Sequence, residues 1–201
     1  MTEPRDIVVI GGSAGAIESL RALVSHLPAD LAAAIFVAIH IKRDADSLLP
    51  KILTRYGALR AAVAVDGDPI VCGRVYVAPP DLHLLIEPGR VTLSAGPTEN
   101  GHRPAIDPLF CSAARSYEDR VIGVVLSGTL DDGSVGLRVI RDHGGTAIVQ
   151  DPDDALFPQM PRSAIEIGHP QHVAPAADIA GLIISHAGKS ETIGSESAAA
   201  R

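Results

Sequence analysis

Five residues at the end of an apolar run, Gly11-Gly12-Ser13-Ala14-Gly15, match the pattern G-x-S-x-G. A serine on a tight strand-to-helix turn projects its hydroxyl above a sheet edge, and flanking glycines clear the way for a substrate. In that reading the Ala14 N–H, at the start of the helix, donates to a developing oxyanion with help from the helix dipole. Two other readings compete. A serine just before a helix is an ordinary N-cap. A glycine-rich strand-to-helix turn can also cradle a dinucleotide pyrophosphate. The dinucleotide pattern fails twice here: Ser13 stands where its second glycine belongs, and the next apolar strand ends in His40 rather than an acid. The pentapeptide alone leaves nucleophile and cap both open.

A serine nucleophile needs a base and a group that orients the base. In a parallel sheet such groups collect at the C-terminal ends of strands. Three strands end informatively: one at Ser13, one at His40, and one at Leu126, just before Ser127-Gly128-Thr129-Leu130-Asp131-Asp132-Gly133. On adjacent strands Ser13 and His40 fall within reach of each other, and either Asp131 or Asp132 could hold the imidazole. A second oxyanion donor is expected from the backbone N–H at Thr129. The two aspartates could instead be a turn and helix cap, or half of a magnesium site with Asp151, Asp153 and Asp154. No HExxH and no Cys/His ligand spacing occurs, and hard-cation sites of this kind usually bind a phosphate-bearing ligand. No metal and no cofactor is expected. His26 and His143 fall near helix C-termini, where a cation is mildly favoured. His83, His102, His169, His172 and His186 have no acid or nucleophile placed beside them by this order of elements. Cys72 and Cys111 lie in no ligand or disulfide pattern and read as two buried small hydrophobes.

The elements that must position these groups alternate. Ile7 to Ile10 reads as a buried strand, Ala16 to Leu27 as an amphipathic helix closed by Pro28, and Ala34 to Ile39 as a second strand. A helix from about Ser47 to Tyr56 follows. Arg74 to Ala78 reads as a strand, and Leu82 to Ile86 with Arg90 to Ser94 as a hairpin around Pro88-Gly89. After a loop over 95–106 come a helix from Asp107 to Tyr117, a strand from Val121 to Leu126, a helix from Ser134 to His143 and a strand over Ala147 to Val149. A short helix after Pro161 and a last one through Ile179 to Ile184 complete the pattern. Strands apolar on both faces, separated by helices, predict an α/β fold: a doubly wound, mostly parallel sheet with an antiparallel hairpin insertion.

The chain has 201 residues, 46% of them hydrophobic, which suits one domain with a full core. The expected organisation is a lead over 1–6, one domain over 7–187 and a disordered tail over 188–201. Aromatics are 3% of residues and the net charge is −7, which argues against a nucleic-acid partner. No signal-peptide stretch and no run of membrane-spanning length is present, so a soluble cytoplasmic protein is expected.

Taken together, IVVIGGSAGAIESL, IFVAIHI, GRVYVAPPDLHLLI, HRPAIDPLF, GVVLSGTLDDGSVGL and IVQDPDDALFPQMPRSAI occur in an order that resembles the catalytic domain of chemotaxis protein-glutamate methylesterases. The resemblance spans about residues 7–185. It implies a serine hydrolase that removes methyl esters from glutamates on the cytoplasmic helices of chemoreceptors, releasing methanol, with deamidation of receptor glutamine as a second activity. It also implies a triad of Ser13, His40 and Asp132, and so selects Asp132 from the aspartate pair. Departures from the family pattern are Gly15-Ala16 for two glycines, Ile41-Lys42 for Met-Pro, and Thr129 for a methionine; the last two bear on substrate preference. Many relatives carry an N-terminal receiver domain. With its first strand at Ile7, this chain is expected to act as a stand-alone catalytic domain. The competing class is a non-catalytic scaffold that keeps the fold.

Overall fold

The apolar runs line up side by side in the computed structural model, which describes residues 5–41 and 48–187. Seven strands, β1 (Ile7–Gly12), β2 (Ala34–Ile39), β3 (Arg60–Val63), β4 (Arg74–Val77), β7 (Val121–Val125), β8 (Thr146–Gln150) and β9 (His172–Ala174), pair in parallel in the order β3-β4-β2-β1-β7-β8-β9. β5 (His83–Glu87) and β6 (Arg90–Ser94) form a separate antiparallel hairpin. Among the described residues six α-helices intervene: α1 (Ala16–Val24), α2 (Leu49–Tyr56), α3 (Ile106–Tyr117), α4 (Ser134–Asp142), α5 (Gln159–Gly168) and α6 (Ala176–Ala187). The predicted doubly wound sheet with a hairpin insertion is the fold observed.

Side chains on a strand alternate between faces, and both faces are buried here. Val8, Ile10, Ile35, Val37, Val124 and Ile148 pack on one side with residues of α1, α2 and α6. Ile7, Val9, Phe36, Tyr76, Val121 and Val149 pack on the other with residues of α3, α4, α5 and the hairpin. Two cores on one sheet fix β1 at the centre. From β1 the chain winds outward through β2 on one side and, after the hairpin and α3, through β7 on the other. The strand order therefore reverses beside β1, the kind of place where open α/β sheets bind ligands beyond their strand ends.

Several predicted boundaries move. α1 stops at Val24 rather than Leu27, because His26 and Leu27 donate to the carbonyls three residues back and tighten the last turn. α5 begins at Gln159, ahead of Pro161, since proline fits within a helix's first turn. β3 and β9 are edge strands that the sequence reading does not find; they are short and half-exposed, and carry no alternation strong enough to mark them. The predicted start of α2 at Ser47, the 188–201 tail and most of the 1–6 lead lie outside the described residues. Contrary to the expectation of two buried small hydrophobes, neither cysteine is a core residue. Cys72 is exposed in the tight turn that Gly73 (φ +77°) makes before β4. Cys111 is half-buried, because helical spacing turns it off the stripe formed by Leu109, Phe110, Ala113 and Ala114.

Candidate active site

Two glycine-containing turns meet where the strand order reverses. Gly11 lies opposite Val125 of β7, and Gly12 opposite Ile39 of β2. The contact continues past the strand ends: the Ser13 N–H donates to the Ser127 carbonyl at 2.9 Å, and the His40 N–H to the Gly12 carbonyl at 3.2 Å. Ser127 Oγ clamps the serine turn by donating to the Ala14 carbonyl at 2.8 Å and accepting the Phe157 N–H at 3.0 Å. Gly15 takes a left-handed φ of +75°, and a Cβ there would lie 2.7 Å from Ser127 Oγ. A Cβ on Gly128 would sit 2.6 Å from Met160 Sδ and 3.0 Å from the Ser13 Cβ. Both positions need glycine for room, and Gly15 for its backbone as well.

The N-cap reading of Ser13 does not hold. Gly15 occupies the cap of α1 without any side-chain bond, and Ser13 Oγ has no hydrogen-bond partner among the described residues. The N–H groups of Ala14 and Thr129, one on each turn, also lack an acceptor among the described residues. The turns thus carry a half-buried serine and two backbone N–H groups with no acceptor among the described residues.

His40 and Asp132 are paired. His40 Nε2 lies 2.7 Å from Asp132 Oδ2, with the two side chains only 5% and 1% exposed. That leaves Nδ1 as the second ring nitrogen. Asp132 Oδ2 also accepts the Ile106 N–H at 2.8 Å, and Oδ1 accepts the Asp107 N–H at 3.1 Å and Asn100 Nδ2 at 3.3 Å. The carboxylate therefore sits on the N-terminus of α3, where orphan N–H groups and the helix dipole favour an anion. Burial pushes its proton affinity up, but the bonds from His40, Ile106 and Asp107 outweigh burial and hold the carboxyl below its ordinary range. Asp131, its neighbour, is exposed, and its backbone carbonyl accepts the Ser134 N–H at 3.0 Å.

One residue at this site escapes the sequence reading. The His102 ring stacks on His40 with centroids 3.6 Å apart and planes 9° from parallel. Burial, and then the nearness of His40, lower its proton affinity, while Asp132 pulls the other way. The stretch from His102 leads straight into α3, whose N-terminus holds Asp132; no spacing in the chain shows that this helix end lands on the turn after β7. Asp107 ties the same parts together from below. Its Oδ1 accepts the Gly136 N–H at 2.6 Å, and burial pushes its carboxyl up to about 6.

The remaining candidates serve other ends. His83 is buried with Nε2 on the Pro97 carbonyl at 2.9 Å, and Nδ1 accepts the Ala105 N–H. His26 and His143 bond carbonyls one turn back, as expected near helix C-termini. His172 and His186 pair with each other at 3.2 Å between β9 and α6. Asp154 accepts the Ala176 N–H at the start of α6, and Asp151 folds its own loop. Among the described residues, no group of three or more His, Cys, Asp or Glu side chains is placed to hold a metal ion. No described helix is long and apolar enough to cross a membrane.

Comparison with known proteins gives a consistent result. The CheB methylesterase family profile matches residues 8–183. A protein of Leptospira interrogans named putative protein-glutamate methylesterase/protein-glutamine glutaminase is 40% identical over 180 residues, covering 89% of this chain and 93% of that one. A Symbiobacterium thermophilum protein-glutamate methylesterase/protein-glutamine glutaminase is 35% identical over 92% of this chain, which spans 52% of its length. The crystal structure of the Thermotoga maritima CheB methylesterase catalytic domain superposes with a TM-score of 0.85 at 34% identity, covering 90% of this chain and 97% of that one. The chain belongs to the CheB methylesterase family.

Proposed function

We propose that this chain is a protein-glutamate methylesterase acting on the cytoplasmic helices of chemoreceptors, with Ser13 as nucleophile, His40 as base and Asp132 as the group that orients the base. The observation that carries the reading is the buried His40–Asp132 pair, 2.7 Å long, at the strand end next to the Ser13 turn. Asp132 holds Nε2, so His40 Nδ1 takes the Ser13 proton as Oγ attacks the ester carbonyl carbon. The Ala14 and Thr129 N–H groups receive the resulting oxyanion; removing one such donor raises a barrier by roughly 3 kcal/mol. The tetrahedral intermediate collapses, His40 returns the proton to the methoxy oxygen, and methanol leaves an acyl-serine. Water then gives its proton to His40 and attacks the acyl carbon, releasing glutamate and restoring Ser13. The same acyl-enzyme forms from a glutamine side chain with ammonia as the leaving group. The imidazolium formed in each step rests on a carboxylate that its hydrogen bonds keep ionised.

The location proposed with this activity is the cytoplasm, where receptor signalling helices are exposed. The test is methanol release from methylated receptor. Wild type releases methanol and Ser13→Ala does not. Release by Ser13→Ala at the wild-type rate removes the nucleophile, and no release by either protein supports the scaffold reading instead.

A further inference from the structure

The first turn of α1, which starts three residues after Ser13, opens onto a groove of about 450 Å³ between α1 and α2. Its apolar surface includes Ile17, Leu48 and Tyr56, which are 37%, 59% and 42% exposed. Its charged residues are Arg21, Lys51 and Arg55 against Glu18. The local sign is thus opposite to that of the chain, whose net charge is −7. Among the described residues, none of the three cations is ion-paired with a carboxylate. The Arg21 guanidinium lies over the Tyr56 ring at 4.1 Å and that of Arg55 at 5.9 Å, contacts that hold the cations in place without cancelling their charge.

We infer that this groove docks an acidic amphipathic helix, the one that carries the glutamyl ester, and so selects which esters reach Ser13. The inference rests on the esterase reading and gives that site a substrate surface. An apolar floor between two helices accepts the apolar stripe of a third helix. The cations along it match acidic side chains flanking that stripe, and such complementarity sets register and encounter rate. Distance fixes which acids. With a rise of about 1.5 Å per residue, Arg21 lies roughly 7–8 Å along α1 from Ala16. A substrate helix lying along α1 with its ester at Ser13 therefore brings residues one to two turns beyond the ester beside Arg21 and Arg55. Exposed Leu130, Leu156 and Phe157, on the turns after β7 and β8, continue an apolar rim on the far side of Ser13.

The test uses a synthetic helical peptide with one glutamate γ-methyl ester and acids four and seven residues after it. Arg21→Glu/Arg55→Glu raises KM about tenfold or more at low salt and leaves kcat within about twofold. Added salt shrinks the difference, and lysines replacing the two peptide acids restore KM. Affinity of the peptide for the Ser13→Ala protein, read by fluorescence anisotropy, falls in parallel when the charge reversals are added; this readout needs no turnover. Arg21→Gln/Arg55→Gln gives a smaller change of the same sign and guards against a folding defect. Unchanged KM and affinity across these variants overturn the docking surface while methanol release leaves the esterase reading standing. A dimer of this chain that the charge reversals dissociate also overturns it, since the groove would then hold a second copy.

Discussion

The turns carrying Ser13 and Asp132 share a plan. Each leaves a central strand, passes a glycine in left-handed conformation (Gly15 at +75°, Gly133 at +91°) and opens into a helix, α1 or α4. They treat their polar groups in opposite ways. Ser13 Oγ has no hydrogen-bond partner among the described residues, while Asp132 is held by His40, Asn100 and the N–H groups of Ile106 and Asp107. The contrast suits the two roles proposed for them. A nucleophile must move from base to substrate, and fixed bonds would oppose that motion. An orienting acid contributes most when it cannot move.

Breaking each turn should therefore have a different signature. Ser13→Ala lowers kcat by about 10⁶-fold, as in serine hydrolases whose nucleophile is removed, with little change in Tm. Asp132→Asn lowers kcat by roughly 10⁴-fold, because the amide no longer enforces one tautomer of His40. It also lowers stability, since the Ile106 and Asp107 N–H groups lose a charged acceptor; thermal melts beside methanol release separate the two effects. Equal melting of Ser13→Ala and Asp132→Asn would contradict the contrast.

A smaller effect is the pH dependence of stability, where Asp107 and Asp132 act with opposite sign. Asp107 has its carboxyl raised from 3.8 to about 6, so the folded protein holds a proton that the unfolded chain has released. Its contribution, about 3 kcal/mol at most, is complete below pH 4 and is lost as pH rises through 6. Asp132 is shifted down, so its contribution is present above pH 4 and lost as pH falls through its folded value. Asp107→Asn should remove the decline in stability between pH 4 and 6 while keeping an oxygen for the Gly136 N–H. Denaturant midpoints across that range read the slope, and a slope unchanged in Asp107→Asn would refute the assignment. Smallest is His102. His102→Ala lowers kcat about tenfold by freeing the His40 ring, and His102→Phe, which keeps a stacking face, recovers most of the rate. Equal rates for the two variants would mean that stacking does not hold the base.

Much of the fold was legible because β1, β2, β7 and β8 are apolar on both faces and end in glycine or polar turns. The edge strands β3 and β9 were not, since edge strands are short and carry exposed residues such as Arg60 and Val173. The site divides in the same way. Ser13 and His40 follow from the rule that parallel strands present chemistry at their C-terminal ends. Choosing Asp132 over Asp131 took the family resemblance, because the physical reason is where the start of α3 comes to rest. His102 belongs to the same helix entry and was unreadable for the same cause: residues 100–107 reach the turn after β7 through the packing of α3 on α4, β1 and β7.

The central proposal is that Ser13, among the serines of the described residues, is the one its surroundings activate. Reaction with a fluorophosphonate probe, followed by mass spectrometry of the digested protein, tests it most directly. Label on Ser13 in wild type, slowed strongly in Asp132→Asn, is the outcome the geometry requires. Label on another serine, or labelling of Ser13 that does not respond to Asp132→Asn, would contradict it.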